Sequence, residues 1–504
     1  MPTSASYPRR CQKPSDTTSS RPLRTLPARA VQLMRLHNTL TRQDEDFVPS
    51  RENTVRMYTC GLTVYARGHI GNFRTFVALD LLRRTLRDVA GFKVIQVMNF
   101  TDVDDRTILE SRKAGVSLRD YTDRYISAFR ADASALGLEP AEMSPRATDE
   151  DNLRSMVEMI QALETNGHTY RSDGSVYFKI STLPEYGKLA RLDHEGIQPG
   201  ARIDSDQYEK DDARDFVLWK ASKENEPTWD FGVGPGRPGW HIECSAMALR
   251  LLGGGPIDIH AGGVDLIFPH HENEIAQAEG ATRETFSRFW VHVEHLLLDE
   301  GVKMSKSLGN VFTVQDVLDR GYRASTLRYA LLSVHYRKQL KFTWGSLEQA
   351  EEALKRLMGC LTRLDTVVGG GSHPALADRV DLARREFGEN LAQDLNVPAA
   401  LGVMFELVRH VNTAIDGGEM GLADVTAVTD AFEAFDRVLG VIAMRRAEEV
   451  TPDVPVADIE RLIADRKVAR AKRDFAAADA IRNDLDARGI TLEDTPAGTL
   501  WKRK

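Results

Sequence analysis

The stretch FPHHENEIAQ, residues 268–277, carries side chains that can bind a metal ion. His270 and Glu274 stand four positions apart, so on a helix their side chains project from the same face. An imidazole nitrogen and a carboxylate oxygen are ordinary zinc ligands, but a zinc site in a protein needs more than two of them. The pair therefore predicts half of a metal site, whose remaining ligands must come from elsewhere in the chain.

Cysteine sulfur is one source of the missing ligands. The chain has four cysteines, Cys11, Cys60, Cys244 and Cys360, without the dense spacing of a disulfide framework. This usage favours a reducing compartment, and we expect the protein in the cytoplasm. Taken alone, Cys60 or Cys244 is better explained as a small buried apolar side chain.

Two further motifs carry groups suited to phosphate chemistry. GHIGNF, residues 68–73, precedes a predicted helix, where N-terminal amides and an imidazole can hold phosphate oxygens. KMSKS, residues 303–307, places two lysines in a glycine-flanked loop, which suits the charge that develops on a leaving pyrophosphate. Each motif alone is a weak signal, because a histidine in a turn is more often structural and a Lys-Ser loop is usually solvated surface.

The elements around the first motif predict a parallel sheet. Residues 53–65 have the composition of a strand, and residues 93–100 form a second strand-like segment. Between them, apolar residues recur with the 3.6-residue period of a helix that stops near Gly91. A strand, helix, strand order is typical of parallel α/β sheets of the nucleotide-binding kind.

The rest of the chain divides by composition. A length of 504 residues predicts three or four domains. The Gly- and Pro-rich cluster GVGPGRPG, residues 232–239, is interpreted as a breaker of regular secondary structure, at the point where the chain returns from an insertion to the main fold. Beyond residue 310 the pattern is helical, with loops expected at 369–374 and 448–458.

Bulk properties exclude some classes of protein. A hydrophobic content of 42% and a charged content of 28% are those of a globular protein, with no run of about 20 apolar residues. A net charge of -8 argues against non-specific coating of nucleic acid. Residues 1–33 are rich in Arg, Ser and Pro and are interpreted as a disordered tail, with a transit peptide or a mis-assigned start codon as alternatives.

Four segments in order, CGLTVYARGHIGNFRTF, GWHIECSAM, FPHHENEIAQ and KMSKSLGN, resemble the cysteinyl-tRNA synthetase family of class I aminoacyl-tRNA synthetases. The resemblance runs from about residue 34 to the C-terminus. It implies a Rossmann-type α/β catalytic domain with an insertion, then a helical bundle and a small anticodon-binding domain. The implied segments are a tail (1–33), the two catalytic halves (34–137 and 237–345), the insertion (138–236), the bundle (346–447) and the anticodon-binding domain (455–504).

The same resemblance assigns roles to individual residues. The family's HIGH motif reads HIGN here, so Asn72 keeps a hydrogen-bond donor but cannot carry a charge. A buried core aromatic is the alternative for Phe475. The implied residues are Cys60, Cys244, His270 and Glu274 as zinc ligands, Thr101 and Trp240 at the substrate, His69, Lys303 and Lys306 in catalysis, His69, Asn72 and Lys306 at ATP, and Phe475, Asp479, Asp494 and Trp501 at the anticodon.

The implied reaction is ATP-dependent activation of L-cysteine, with Mg²⁺, and transfer to tRNA(Cys) by a monomeric enzyme. Cysteine and serine differ by one atom, and discrimination of 10⁴ to 10⁵ requires about 5 to 7 kcal/mol. A zinc ion that binds the substrate thiolate supplies such a difference, because a hydroxyl is a harder and less acidic ligand.

Three other functions fit parts of the sequence but are less consistent with the whole. A cysteine ligase of the mycothiol pathway resembles the catalytic core but lacks the C-terminal region found here at about 455–504. An inactive tRNA-binding paralogue is disfavoured by the intact KMSKS motif and the four ligands. A HExxH metalloprotease is disfavoured because the second histidine of that motif is absent and Glu274 stands near its place.

Overall fold

The computed structural model describes residues 33–192, 215–298, 311–369, 372–449, 456–472, 474–488, 490–495 and 498–503. The first 32 residues of the predicted tail lie outside this part of the chain. The strands are β1 Met34–Asn38, β2 Gln43–Phe47, β3 Thr54–Thr59, β4 Lys93–Met98, β5 Thr169–Ser172, β6 Ser175–Phe178, β7 Phe216–Ala221, β8 Gly236–Pro238, β9 Ile257–Gly263, β10 Ser287–Val293, β11 Leu296–Leu298, β12 Leu340–Phe342, β13 Ile490–Thr495 and β14 Gly498–Arg503. The helices are α1 Ile70–Asp88, α2 Asp105–Lys113, α3 Leu118–Ala135, α4 Glu150–Thr165, α5 Trp240–Leu251, α6 Glu272–Thr282, α7 Val314–Asp319, α8 Ala324–Leu332, α9 Trp344–Leu364, α10 Pro374–Ala392, α11 Val397–Asp416, α12 Leu422–Leu439, α13 Ile442–Glu449, α14 Val456–Ala471 and α15 Phe475–Ala487.

The central sheet is parallel, with the strand order β10-β9-β3-β4. The chain runs from β3 through α1 to β4 on one side, and later adds β9 and β10 on the other side. The strand, helix, strand unit predicted from the sequence is therefore confirmed. The order reverses between β3 and β9, and ligands of such sheets bind outside the carboxyl ends of the strands at this switch point.

Helix α1 lies in the predicted segment but ends three residues before Gly91, with Val89 just beyond its last turn. Its predicted apolar face is buried, and Leu79, Leu82 and Leu86 are at most 2% exposed. The helix ends at Asp88, and Gly91 adopts a φ of +76°, a conformation that favours glycine. Because α1 follows β3 in the chain, the N-terminus of the helix lies at the carboxyl ends of the strands.

The insertion carries an antiparallel sheet, with the order β5-β6-β7-β8. The breaker interpretation of residues 232–239 is wrong for its second half, because Gly236–Pro238 is the edge strand β8. Proline is tolerated at an edge, where its missing N–H is not needed. Gly236 packs so closely that an added Cβ would lie 2.2 Å from the Lys220 carbonyl oxygen. Only a residue without a side chain fits there.

The remainder of the described chain is mainly helical, as predicted. Helices α9 to α13 follow one another, with the expected connections after Leu364 and after Glu449. At the C-terminus, α14 and α15 pack on the β13-β14 hairpin around Ile459, Leu485 and Ile490. The domain boundaries proposed from the sequence stay predictions.

A buried arginine joins the catalytic core to the helical region. Arg328 on α8 donates from Nη2 to Asp80 Oδ2 on α1 at 2.6 Å. It also donates from Nε to the Leu439 carbonyl at 2.7 Å and from Nη1 to the Leu136 carbonyl at 2.9 Å. Its side chain is 0% exposed, so water cannot replace these bonds.

We expect Arg328→Met to lower the free energy of unfolding by about 3 to 5 kcal/mol, because it leaves buried acceptors without a donor. The shift is measured as a lower urea midpoint by circular dichroism. Arg409→Met is the matched control, since Arg409 is 67% exposed and its pair with Glu406 contributes little. Equal midpoints for the two variants would contradict the role of Arg328.

Candidate active site

The four predicted metal ligands converge at the carboxyl edge of the parallel sheet. Cys60 follows β3, Cys244 lies on α5, and His270 belongs to the helical turn Ile267–His271 before α6. All four side chains are buried, and their ligand atoms lie within 4.8 Å of one another. The predicted pair is close, since His270 Nε2 is 3.0 Å from Glu274 Oε1. Cys60 thus meets Cys244 and Glu274, which lie 184 and 214 residues away in sequence.

Sulfur and oxygen donors are near enough to share one ion. Cys60 Sγ lies 3.9 Å from Cys244 Sγ and 3.6 Å from Glu274 Oε1. Donors bound to one tetrahedral zinc ion at about 2.0 to 2.3 Å are themselves about 3.3 to 3.8 Å apart. The residues present therefore fit a zinc ion in both chemistry and spacing.

The electrostatics of the cluster are those of a site for a cation. Burial opposes ionisation of Glu274, but the charges of His260 and His270 outweigh it and lower the Glu274 pKa to about 2. Burial likewise opposes the Cys244 thiolate, but a hydrogen bond from Cys60 and the His270 charge lower the Cys244 pKa to about 6. Glu274 and Cys244 in turn raise the His270 pKa to about 10, against burial. Burial raises the Cys60 pKa well above its usual range.

The predicted substrate residues lie in the same cleft as the ligands. A cavity of about 430 Å³ opens above the cluster. The Trp240 ring stacks on His270, with ring centres 4.3 Å apart, and so holds that imidazole on one face. Unlike the other three ligands, Glu274 does not line the cavity, and it is fully buried. The predicted site residues that line the cavity are Cys60, Cys244, His270, Thr101, Trp240, His69 and Asn72.

His69 and Asn72 form a reciprocal cap at the start of α1. The Asn72 backbone N–H donates to His69 Nδ1 at 3.2 Å, and the His69 backbone N–H donates to Asn72 Oδ1 at 3.0 Å. This capping box explains an amide at position 72, because the position needs a side-chain acceptor rather than a charge. Since His69 Nδ1 accepts a hydrogen bond, the neutral ring carries its proton on Nε2.

The chain that follows the KMSKS loop is anchored to this same turn. The Ile70 backbone N–H donates to the Phe312 carbonyl at 2.8 Å, and Thr313 forms an isolated β-bridge with His69. Lys303 and Lys306 themselves lie outside the described residues. Phe312 and Thr313, a few residues after KMSKS in sequence, are therefore connected to the His69 turn.

Sequence reasoning missed a group of buried histidines behind the cluster. His260 Nε2 lies 2.8 Å from Glu274 Oε2, and His271 Nε2 lies 3.4 Å from Cys60 Sγ. His241 Nδ1 lies 2.9 Å from His270 Nδ1. A signal was available, because five of the 13 histidines fall between residues 241 and 292.

The predicted anticodon residues lie on the C-terminal helices and hairpin. Phe475, the first residue of α15, is 62% exposed, so the buried-aromatic alternative is wrong. Asp479 is also exposed on α15. Asp494 lies on β13, and Trp501 lies half-buried on β14. An exposed ring is available to stack on a base.

Comparison with known proteins assigns most of the chain to known families. Residues 46–352 match the family described as tRNA synthetases class I (C) catalytic domain, 386–443 match the DALR domain, and 451–501 match the cysteinyl-tRNA ligase anticodon binding domain. A cysteine–tRNA ligase of Solibacter usitatus is 50% identical over 473 residues, 94% of this chain and 100% of the relative. The chain belongs to the cysteine–tRNA ligase family. Another cysteine–tRNA ligase, from Brachyspira hyodysenteriae, is 45% identical over 475 residues, 93% of this chain and 99% of the relative.

Solved structures support the fold of this cysteine–tRNA ligase family member. Mycobacterium tuberculosis methionyl-tRNA synthetase in complex with methionyl-adenylate aligns with a TM-score of 0.55 at 17% identity, covering 78% of this chain and 90% of that one. A putative arginyl-tRNA synthetase of Campylobacter jejuni aligns with a TM-score of 0.52 at 12% identity, covering 79% and 94%. The predicted class I fold is confirmed.

None of the helices in the described part of the chain has the length and apolar character of a membrane span.

We expect zinc binding to metal-free protein at pH 7 to release two protons per ion. His270 and Cys60 are protonated at this pH and must lose their protons to bind, whereas Cys244 and Glu274 are already ionised. The affinity should therefore rise about 100-fold per pH unit between pH 7 and 8. Titration in weak buffer with a pH indicator measures the release, and zinc binding without proton release would contradict these protonation states.

Proposed function

We propose that this cysteine–tRNA ligase selects L-cysteine with a zinc ion held by Cys60, Cys244, His270 and Glu274. The observation that carries the proposal is that three of the four ligands face the same cavity as Trp240 and Thr101. When bound there, zinc supplies a Lewis acid that favours the ionised thiol of cysteine over the hydroxyl of serine.

The chain's own residues fix how the amino acid lies in the cleft. Trp240 stacks on the ligand His270 and lines the cavity together with Cys60, so we propose that the substrate side chain lies between Trp240 and Cys60. Thr101 follows β4 and lines the cavity, and it is proposed to hydrogen-bond the backbone of the amino acid. In this orientation the thiol of the substrate points toward the metal ligands, and its carboxylate lies near the His69 turn.

The opposite wall of the cavity binds ATP in this proposal. His69 donates its Nε2 proton to a phosphate oxygen, next to the positive N-terminal end of α1. Asn72 holds the ring in that tautomer through the backbone cap. The cysteine carboxylate then attacks the α-phosphorus in line, Mg²⁺ accompanies the phosphates, and Lys303 and Lys306 are proposed to stabilise the departing pyrophosphate.

The acceptor in the second step is proposed to be tRNA(Cys). The match of residues 451–501 to an anticodon binding domain supports RNA over an amino sugar, which needs no such domain. Exposed Phe475 on α15 offers a surface on which a base can stack. Transfer of radioactive cysteine to tRNA(Cys), compared with transfer to an amino sugar, tests this assignment.

We expect Cys60→Ser to lower kcat/KM for cysteine in ATP–pyrophosphate exchange by at least 100-fold and to lower the zinc content. The reason is that serine replaces a thiolate ligand with a harder, weakly acidic one. Cys360→Ser is the matched control, because Cys360 is buried on α9 outside the cleft. Exchange by Cys60→Ser at the level of the Cys360→Ser control would remove zinc selection from the account.

We expect Asn72→Ala to raise KM for ATP about tenfold while KM for cysteine stays within twofold. The substitution removes the acceptor for the His69 backbone and loosens the ring that meets the phosphates, at a stability cost of about 1 kcal/mol. Ser346→Ala is the control, because Ser346 completes the same type of cap at the start of α9, where it does not line the cavity. If both variants raise KM for ATP equally, the effect is one of stability alone.

A further inference from the structure

We propose a second metal-binding set in the same region, formed by Cys60, His260, His271 and Glu274. The ligand atoms of these four buried side chains also lie within 4.8 Å of one another. The set shares Cys60 and Glu274 with the first one and replaces Cys244 and His270 by two histidines. It goes beyond the proposed function, because a metal ion in this set would not reach the substrate.

The donor atoms of the second set are close together, and the two distances from the Cys60 sulfur fall in the range expected around one ion. Cys60 Sγ lies 3.4 Å from His271 Nε2 and 3.6 Å from Glu274 Oε1. Glu274 Oε2 lies 2.8 Å from His260 Nε2, whereas Glu274 Oε1 faces His270. The carboxylate therefore contacts both sets: Oε2 faces His260, whereas Oε1 lies near His270 and near Cys60, which belongs to both sets.

Neighbouring groups hold the two histidines in ligating orientations. His271 Nδ1 lies 2.8 Å from His292 Nε2, and His292 Nδ1 lies 2.8 Å from Thr39 Oγ1. A metal-binding histidine commonly has its other ring nitrogen held in this way, which here directs Nε2 of His271 at the Cys60 sulfur. The His260 ring is stacked on Trp290, with ring centres 4.6 Å apart.

The two sets differ in access and in sulfur content. Cys60, Cys244 and His270 line the cavity, whereas His260 and His271 do not. Only Cys60 of the second set lines the cavity, so a metal ion held mainly by His260, His271 and Glu274 lies away from the substrate. The second set provides one sulfur and two nitrogens, whereas the first set provides two sulfurs and one nitrogen. Because the sets share two ligands, one ion excludes the other, and soft thiolates favour zinc in the first set.

When Cys244 is no longer available as a ligand, we expect the metal ion to bind in the second set and the enzyme to be inactive. Cys244→Ala dismantles the first set and leaves the second complete. Its metal-stripped full chain should still bind one Co²⁺ tetrahedrally, with a sulfur-to-cobalt absorption about half that of the unsubstituted protein. ATP–pyrophosphate exchange should be lost in the same preparation.

Two comparisons decide the test. Adding His271→Gln to Cys244→Ala should weaken Co²⁺ binding at least 100-fold, whereas His271→Gln alone should keep the two-sulfur spectrum of the first set. Cys60→Ala removes a ligand from both sets and is the reference for lost binding, and Cys244→Ser repeats the test if the alanine variant does not fold. The proposal is overturned if both Cys244 variants lose Co²⁺ as Cys60→Ala does, or if the double variant binds as tightly as Cys244→Ala. A two-sulfur spectrum of the unsubstituted protein keeps the proposed function intact in either case.

Discussion

The fully buried carboxylate of Glu274 is the constraint on which the site depends. A carboxylate without access to water is unfavourable unless positive charge and hydrogen bonds compensate it. Here His260 and His270 meet its two oxygens at 2.8 and 3.0 Å. This requirement fixes β9, which carries His260, against the helical turn that carries His270. The same contact brings the Cys60 sulfur, at the end of the neighbouring strand β3, to the edge of the carboxylate.

The side of the cleft at which we propose that ATP binds is organised by backbone hydrogen bonds instead of buried charge. The reciprocal cap between His69 and Asn72 positions an imidazole at the N-terminus of α1, where the helix favours anions. The bridge from His69 to Thr313 ties this turn to the chain that follows the KMSKS motif. The proposed amino-acid site and the proposed phosphate site therefore depend on different physical interactions, so we expect that each can be altered without the other.

Much of this arrangement could be predicted from the sequence, because it rests on local patterns. The β3-α1-β4 unit follows from periodicity and from the stop at Gly91, and His270 and Glu274 follow from their spacing. The resemblance supplied Cys60 and Cys244, which no spacing connects to that pair. The histidines behind the cluster, His260 and His271 among them, were missed because their partners come from distant segments. The edge strand β8 was also missed, since its Gly and Pro are compatible with a strand only at the margin of a sheet.

The central claim, that a metal ion recognises the sulfur of the substrate, is tested most directly by X-ray absorption at the zinc edge of the zinc-loaded full chain. Zinc held by Cys60, Cys244, His270 and Glu274 has two sulfur ligands, at about 2.3 Å. Saturating L-cysteine should increase this number to three, and saturating L-serine should leave it at two. A count that stays at two with cysteine would contradict the account.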